Sequence, residues 1–384
     1  MNKRLFYMLL PLILLYACAS GRITMSESGL RTAGFAAGVD GKQTGLYILR
    51  NANGMEVAIT NYGARIVSLL APDREGHFAD VVCGFDSLAD YRNYRQNYGA
   101  TVGRYIGRIL NARFEIDSVT YHLAAGSNGH CSHGGFPGFA DRVWRVRSIR
   151  RNSLRLEYVS PDGENGFPGT LTLQLHISLD NRNGLCLDYR ATTDKPTVLN
   201  ISNHSFFNLT GDLSRTITDG TLWIDADSIA EYSPDKCVTG FFLPVKDTPF
   251  DFLTERRIGE RIDEDNAQLK VTGGYDHTWK LRKPDDPETP AAIIHDRQSG
   301  RRMEIFTTEP GMHIYTANGL KGRPAGKKGI GYPRRSAVCF ETMHFADSPN
   351  KPRFPSTLLR PGEEFRSRTV FRFGVSQAPG KDEN

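Results

Sequence analysis

The side chains best suited to reciprocal proton transfer are a histidine in Asn203-His204-Ser205-Phe206-Phe207-Asn208-Leu209 and a glutamate in Cys339-Phe340-Glu341-Thr342. A histidine of ordinary pKa ~6.5 is about a quarter protonated at pH 7, while a glutamate of ~4.3 is almost wholly ionised. A neighbouring carboxylate would raise the histidine further. Such a pair can open and close a cyclic hemiacetal without metal or nucleotide, because each step moves one proton. Both residues have a plainer reading. His204 would be a core histidine satisfied by hydrogen bonds, and Glu341, beside an apolar run, would need a matched cation nearby.

Other chemistries find less support. His130-Cys131-Ser132-His133 brings two histidines and a thiol within four positions. A structural zinc site takes four ligands, usually as two spaced pairs, and the sequence offers no second pair, so no metal is expected. Ser205 directly follows His204, and neighbours along a strand point to opposite faces, which argues against a serine nucleophile served by that histidine. With neither a Walker loop nor a G-x-G-x-x-G after a strand, no nucleotide cofactor is expected.

The elements that must carry these groups are strands. Leu171, Leu173, Leu175, Ile177 and Leu179 alternate with Thr172, Gln174, His176 and Ser178, a period of two. Leu185, Leu187, Tyr189 and Ala191 form the face of a second strand. The polar link Asp180-Asn181-Arg182-Asn183-Gly184 joins the two as a hairpin. A similar pair, Val143 to Ile149 and Leu154 to Ser160, turns through Arg150-Arg151-Asn152-Ser153. Further strands are predicted over Glu56 to Thr60, Met303 to Thr308, Met312 to Ala317 and Thr369 to Val375. Helical windows are few and short, and no βαβ rhythm appears. The fold class is therefore all-β, a large antiparallel β-sandwich. Pro, Gly and Ser clusters at 160–169, 283–290 and 321–335 mark loops.

At 384 residues the chain has room for two average domains, but sandwiches often use more than 200 residues as one unit, so a single domain over 35–376 is expected. The formal charge of +5 arises from 48 basic and 43 acidic residues spread along the sequence, which argues against nucleic acid as a partner. Residues 1–20 have the layout of an export signal: Lys3-Arg4, an apolar stretch from Leu5 to Tyr16, then Ala17-Cys18-Ala19-Ser20. The stretch falls short of the ~20 residues of a spanning helix. Leu15-Tyr16-Ala17-Cys18 resembles a bacterial lipobox, with Cys18 as the lipid anchor of an exported protein. Five cysteines then remain, so at least one thiol is unpaired, and most are expected to be small buried residues. The residues 377–384 read as a polar tail.

Taken in order, Gly103-Arg104-Tyr105-Ile106-Gly107-Arg108-Ile109, His133-Gly134-Gly135, Asp162-Gly163-Glu164-Asn165-Gly166-Phe167-Pro168-Gly169, Asn203 to Leu209, Gly274-Tyr275-Asp276-His277 and Phe340-Glu341-Thr342 resemble the aldose 1-epimerase (galactose mutarotase) family. The likeness extends to Phe354-Pro355-Ser356 and Leu359-Arg360-Pro361-Gly362-Glu363. It implies a galactose mutarotase-like supersandwich, a monosaccharide substrate, no cofactor and no metal. By position it makes His204 the acid that protonates the ring oxygen and Glu341 the base that takes the anomeric hydroxyl proton. Arg108 and His133 become sugar-oxygen contacts, and Asp276 a carboxylate that accepts from sugar hydroxyls. Glu309, in Thr307-Thr308-Glu309-Pro310-Gly311, is assigned to a further contact or to shaping the pocket, and Phe206 to an apolar wall for the sugar.

The sequence departs from the family pattern in two places. Gly107 stands where the family has asparagine, which removes an amide contact to the sugar, and Met343 stands where glutamine commonly follows. Two rival readings stay open at this point. One is a non-catalytic carbohydrate-binding sandwich. The other is a hexose 6-phosphate epimerase whose phosphate is held by Lys321, Arg323, Lys327, Lys328, Arg334 and Arg335, although that run reads first as a solvated loop.

Overall fold

Alternating apolar residues build the largest sheet. In the computed structural model, which describes residues 24–282 and 288–376, Leu171–Leu179 is one strand of nine. Its inward Leu173, Leu175 and Ile177 are buried while Gln174 is exposed. Leu175 lies opposite Leu156 of Ser153–Ser160 on one side and Tyr189 of Gly184–Thr193 on the other. The predicted hairpin is present: Asp180 Oδ1 accepts from the Arg182 and Gly184 amides, both at 2.8 Å, and Asn183 adopts φ 62°. The sheet continues through Phe365–Val375, Arg301–Thr307, Ala292–His295, Thr221–Ile224 and Arg256–Arg257, with every pairing antiparallel.

A six-stranded antiparallel sheet carries the chemistry. Its order is Phe206–Phe207, Val338–Met343, Gly311–Tyr315, Asp276–Leu281, Ala226–Tyr232 and Val238–Pro244. Val338–Met343 is buried at every position because both its faces are covered, which explains why Glu341 follows an unbroken apolar run. The period of two still sorts its side chains. Thr342 points toward the large sheet, where its hydroxyl bonds that of Thr369 at 2.6 Å, and Phe340 joins the main core. Cys339 and Glu341 point the other way. A four-stranded sheet, Leu46–Arg50, Glu56–Thr60, Arg65–Pro72 and Phe78–Asp80, contributes Leu49, Val57, Ile66 and Leu69 to the same core. The expected β-sandwich is what the chain forms, and the two α-helices among the described residues, Leu88–Tyr94 and Ala267–Thr272, are short.

Several expectations need adjustment. The strand expected over Met312 to Ala317 is Gly311–Tyr315, with Ala317 at φ 50°, outside the extended region. The strand expected from Thr369 begins at Phe365. Nor is the basic run 321–335 simply a solvated loop. Lys327 is 3 % exposed, its Nζ donating to Val67 O at 2.7 Å and to Asp80 Oδ2 at 2.5 Å, and Arg335 forks onto Asp263. Cys83, Cys131, Cys237 and Cys339 are buried, Cys186 is half-buried, and all five are free thiols. The expected export signal with Cys18, the tail 377–384 and part of the 283–290 loop lie outside the described residues.

Candidate active site

Strand register brings the polar groups together. Glu341 lies directly opposite His313, and His313 opposite Thr278, so three adjacent strands present one row of side chains. The next row runs Asp276, Tyr315, Cys339 and Phe206. His204 comes from a separate two-stranded unit, Ser202–His204 paired with Ala100–Val102, and its Nε2 sits 3.5 Å from Glu341 Oε1. Arg108 is anchored by a bond from Nη1 to Lys236 O at 3.0 Å. His133 Nδ1 accepts from the Gly107 amide at 3.4 Å, which leaves the ring hydrogen on Nε2 as a donor. Arg104, four residues before Arg108, is instead structural. It is 2 % exposed and its guanidinium holds the carbonyls of Pro168 and Gly169 at 2.8 and 2.9 Å.

Of the residues singled out from the sequence, His204, Glu341, Arg108, His133, Asp276 and Gly107 line one pocket. Phe206 and Glu309 do not. Phe206 stacks parallel to the His204 ring, centroids 5.0 Å apart and 9° between planes, so it is a wall for the histidine and not for a ligand. Glu309 is 2 % exposed and bonded through Oε2 to His344 Nδ1 at 2.7 Å, where it supports the strand end behind the pocket. The pocket also contains His313, Tyr232, Lys236 and Tyr315, which sequence reasoning missed. One signal was available for His313: a lone histidine between Met312 and Ile314 in a predicted strand must turn away from the core. None of the residues 321–335 lines the pocket, so the basic run offers no phosphate site there.

Burial sets the proton affinities. Desolvation pushes Glu341 up to about 7, opposed by the charge of His313 and reinforced by that of Asp276. Burial also drives His204 down to about 3, with the charges of His133 and His313 acting the same way. This reverses the expectation of a histidine raised by its carboxylate neighbour: taking an imidazolium out of water costs more here than the nearby charge returns. His133 falls to about 4, chiefly through burial. Burial, the largest influence, would raise Asp276, but the hydrogen bond from His313 Nε2, 2.8 Å from Oδ1, together with the charges of His313, His277 and Arg108, outweighs it and holds the carboxyl below the usual range.

Among the described residues, two groups bring three metal-type donors together. His204, Cys339 and Glu341 are the pocket itself, and burial holds the Cys339 thiol well above its ordinary value, away from the thiolate a metal would bind. His130 meets Asp235 and Cys237, and not the neighbouring His133. Its Nδ1 accepts from the Asn111 amide at 3.1 Å, leaving Nε2 protonated and unable to ligate.

The chain matches the Aldose 1-epimerase family over residues 45–372. It belongs to the aldose 1-epimerase family. Galactose mutarotase from Homo sapiens is 37% identical over 322 residues, spanning 84% of this epimerase and 92% of the human protein. Aldose 1-epimerase from Escherichia coli strain K12 is 33% identical over 338 residues, 87% of this chain and 96% of that one. Among solved structures, the GalM/aldose epimerase homologue from C. elegans superimposes with a TM-score of 0.79 at 27% identity, covering 87% of this chain and 100% of the other. Galactose 1-epimerase from Lactobacillus acidophilus NCFM gives 0.77 at 28% identity, covering 88% and 97%. The epimerase is thus an isomerase that interconverts the α and β anomers of an aldose.

Proposed function

We propose that this epimerase acts on free aldoses such as galactose or glucose, with His204 protonating the ring oxygen and Glu341 removing the anomeric hydroxyl proton. The observation that carries this reading is the 3.5 Å approach of His204 Nε2 to Glu341 Oε1 at the base of one pocket. Ring opening converts imidazolium and carboxylate into imidazole and carboxylic acid, two states of equal net charge. Burial favours the second, which is the state complementary to the open-chain aldehyde. Rotation about the first carbon–carbon bond then presents the other face of the aldehyde, and closure returns both protons. Because one proton is shared across a close pair, the pH limits belong to the pair and not to either residue. Arg108 and His133 Nε2–H are the donors, and Asp276 the acceptor, for sugar oxygens.

Acid and base each contribute ~10²-fold to 10⁴-fold in such reactions. Glu341→Gln should keep the fold while mutarotation of fresh α-glucose or α-galactose, followed by polarimetry, drops at least ~10²-fold. An unchanged rate would remove Glu341 from the mechanism. For location, the reading is an exported lipoprotein anchored through Cys18, supported by the basic, apolar and small-residue order of residues 1–20.

A further inference from the structure

We propose that His313 is the positioning cation of this site: it orients Asp276 toward the sugar and supplies the positive charge against which Glu341 keeps its negative charge as base. The inference rests on the reading of Glu341 as base. It begins with hydrogen-bond roles. A carboxylate only accepts, so the 2.8 Å contact with Asp276 requires the hydrogen on His313 Nε2. Nδ1 lies 3.0 Å from Thr278 Oγ1, a contact in which either atom can donate. When Oγ1 accepts from Nδ1, as two facing carboxylates favour, both ring nitrogens carry hydrogen. That is the imidazolium. Its side chain is 14 % exposed, between the carboxylates of Asp276 and Glu341.

The surrounding charges decide which way His313 acts. Glu341 faces His204 from one side, His313 and Asp276 across the sheet, and the Cys339 thiol on its own strand. Of these, His313 is the group that opposes the upward push of burial on Glu341, while Asp276 adds to it. His313 in turn faces Asp276 and Glu341, with the guanidinium of Arg108 nearby, and the two carboxylates outweigh burial and Arg108 to hold it above its ordinary value. The same cation depresses His204, alongside His133. Removing the charge must therefore raise the proton affinity of both members of the acid–base pair.

The test is the pH profile of kcat/KM for galactose mutarotation in His313→Gln, which keeps hydrogen-bonding ability without charge. Both limbs of the bell should move to higher pH by about one unit, the scale of effect of an opposite charge within contact range. A loss of activity uniform across pH, with the limbs unmoved, would overturn the proposal and leave His313 a packing residue. Should His313→Gln fail to fold, imidazole NMR on the unsubstituted enzyme decides instead: His313 should keep imidazolium shifts at pH 7, and a neutral ring there sinks the idea. If Glu341→Gln retains full activity, the assignment of the base fails on its own terms, separately from this result.

Discussion

At the scale of single residues, Gly107 sets how close the pocket floor can come to a ligand. It adopts φ +81°, and a Cβ there would stand 2.9 Å from Ala346 Cβ. Asparagine tolerates the left-handed region, so the obstacle to it is the neighbour and not the backbone. Glycine at 107 and alanine at 346 are thus coupled. Gly107→Asn should cost about 1–3 kcal/mol by urea unfolding, the usual penalty of overpacking, and raise KM. Adding Ala346→Gly should recover at least half of both; if the double variant is no better than the single, the clash is not the cause. The same scale accounts for Phe206. Its ring lies flat against His204 and fixes the plane in which Nε2 meets Glu341.

At the scale of elements, the basic loop 321–335 shows how a charge run can be read wrongly. Its exposed members, Lys321, Arg323 and Lys328, fit the solvated reading. Lys327 does not: a short 3-10 turn, Lys327–Gly329, drives its ammonium inward to Asp80 at the end of the four-stranded sheet. Breaking a buried pair from one side leaves an uncompensated charge, so Lys327→Met should destabilise by about 3 kcal/mol in urea titration with the sugar KM unchanged. A normal stability would mean that Asp80 finds another partner, and a large KM change would mean that the loop reaches the pocket after all.

At the scale of the whole molecule, the proposed export and anchoring would be separable from catalysis, because residues 1–20 precede everything the family match covers. Mass spectrometry of the mature protein should find an N-terminus at Cys18 carrying a lipid mass, and Cys18→Ser should give a form released without detergent at full specific activity. An intact Met1, or a mature end elsewhere, would sink the lipoprotein assignment. The strands themselves were largely legible from the amino-acid order. Alternation in Leu171–Leu179 reports a face buried on one side, and that signal is local. So is the hairpin at Asp180, where side-chain and backbone geometry settle the turn within four residues. The two residues proposed as acid and base, His204 and Glu341, could also be named from short motifs. What the order of residues did not contain was register between strands far apart in the chain. That register puts His313 beside Glu341, turns Glu309 away to His344 and lays Phe206 on His204. The proton affinities likewise waited on tertiary structure, since desolvation by surrounding layers, and not residue type, lowers His204 and raises Glu341.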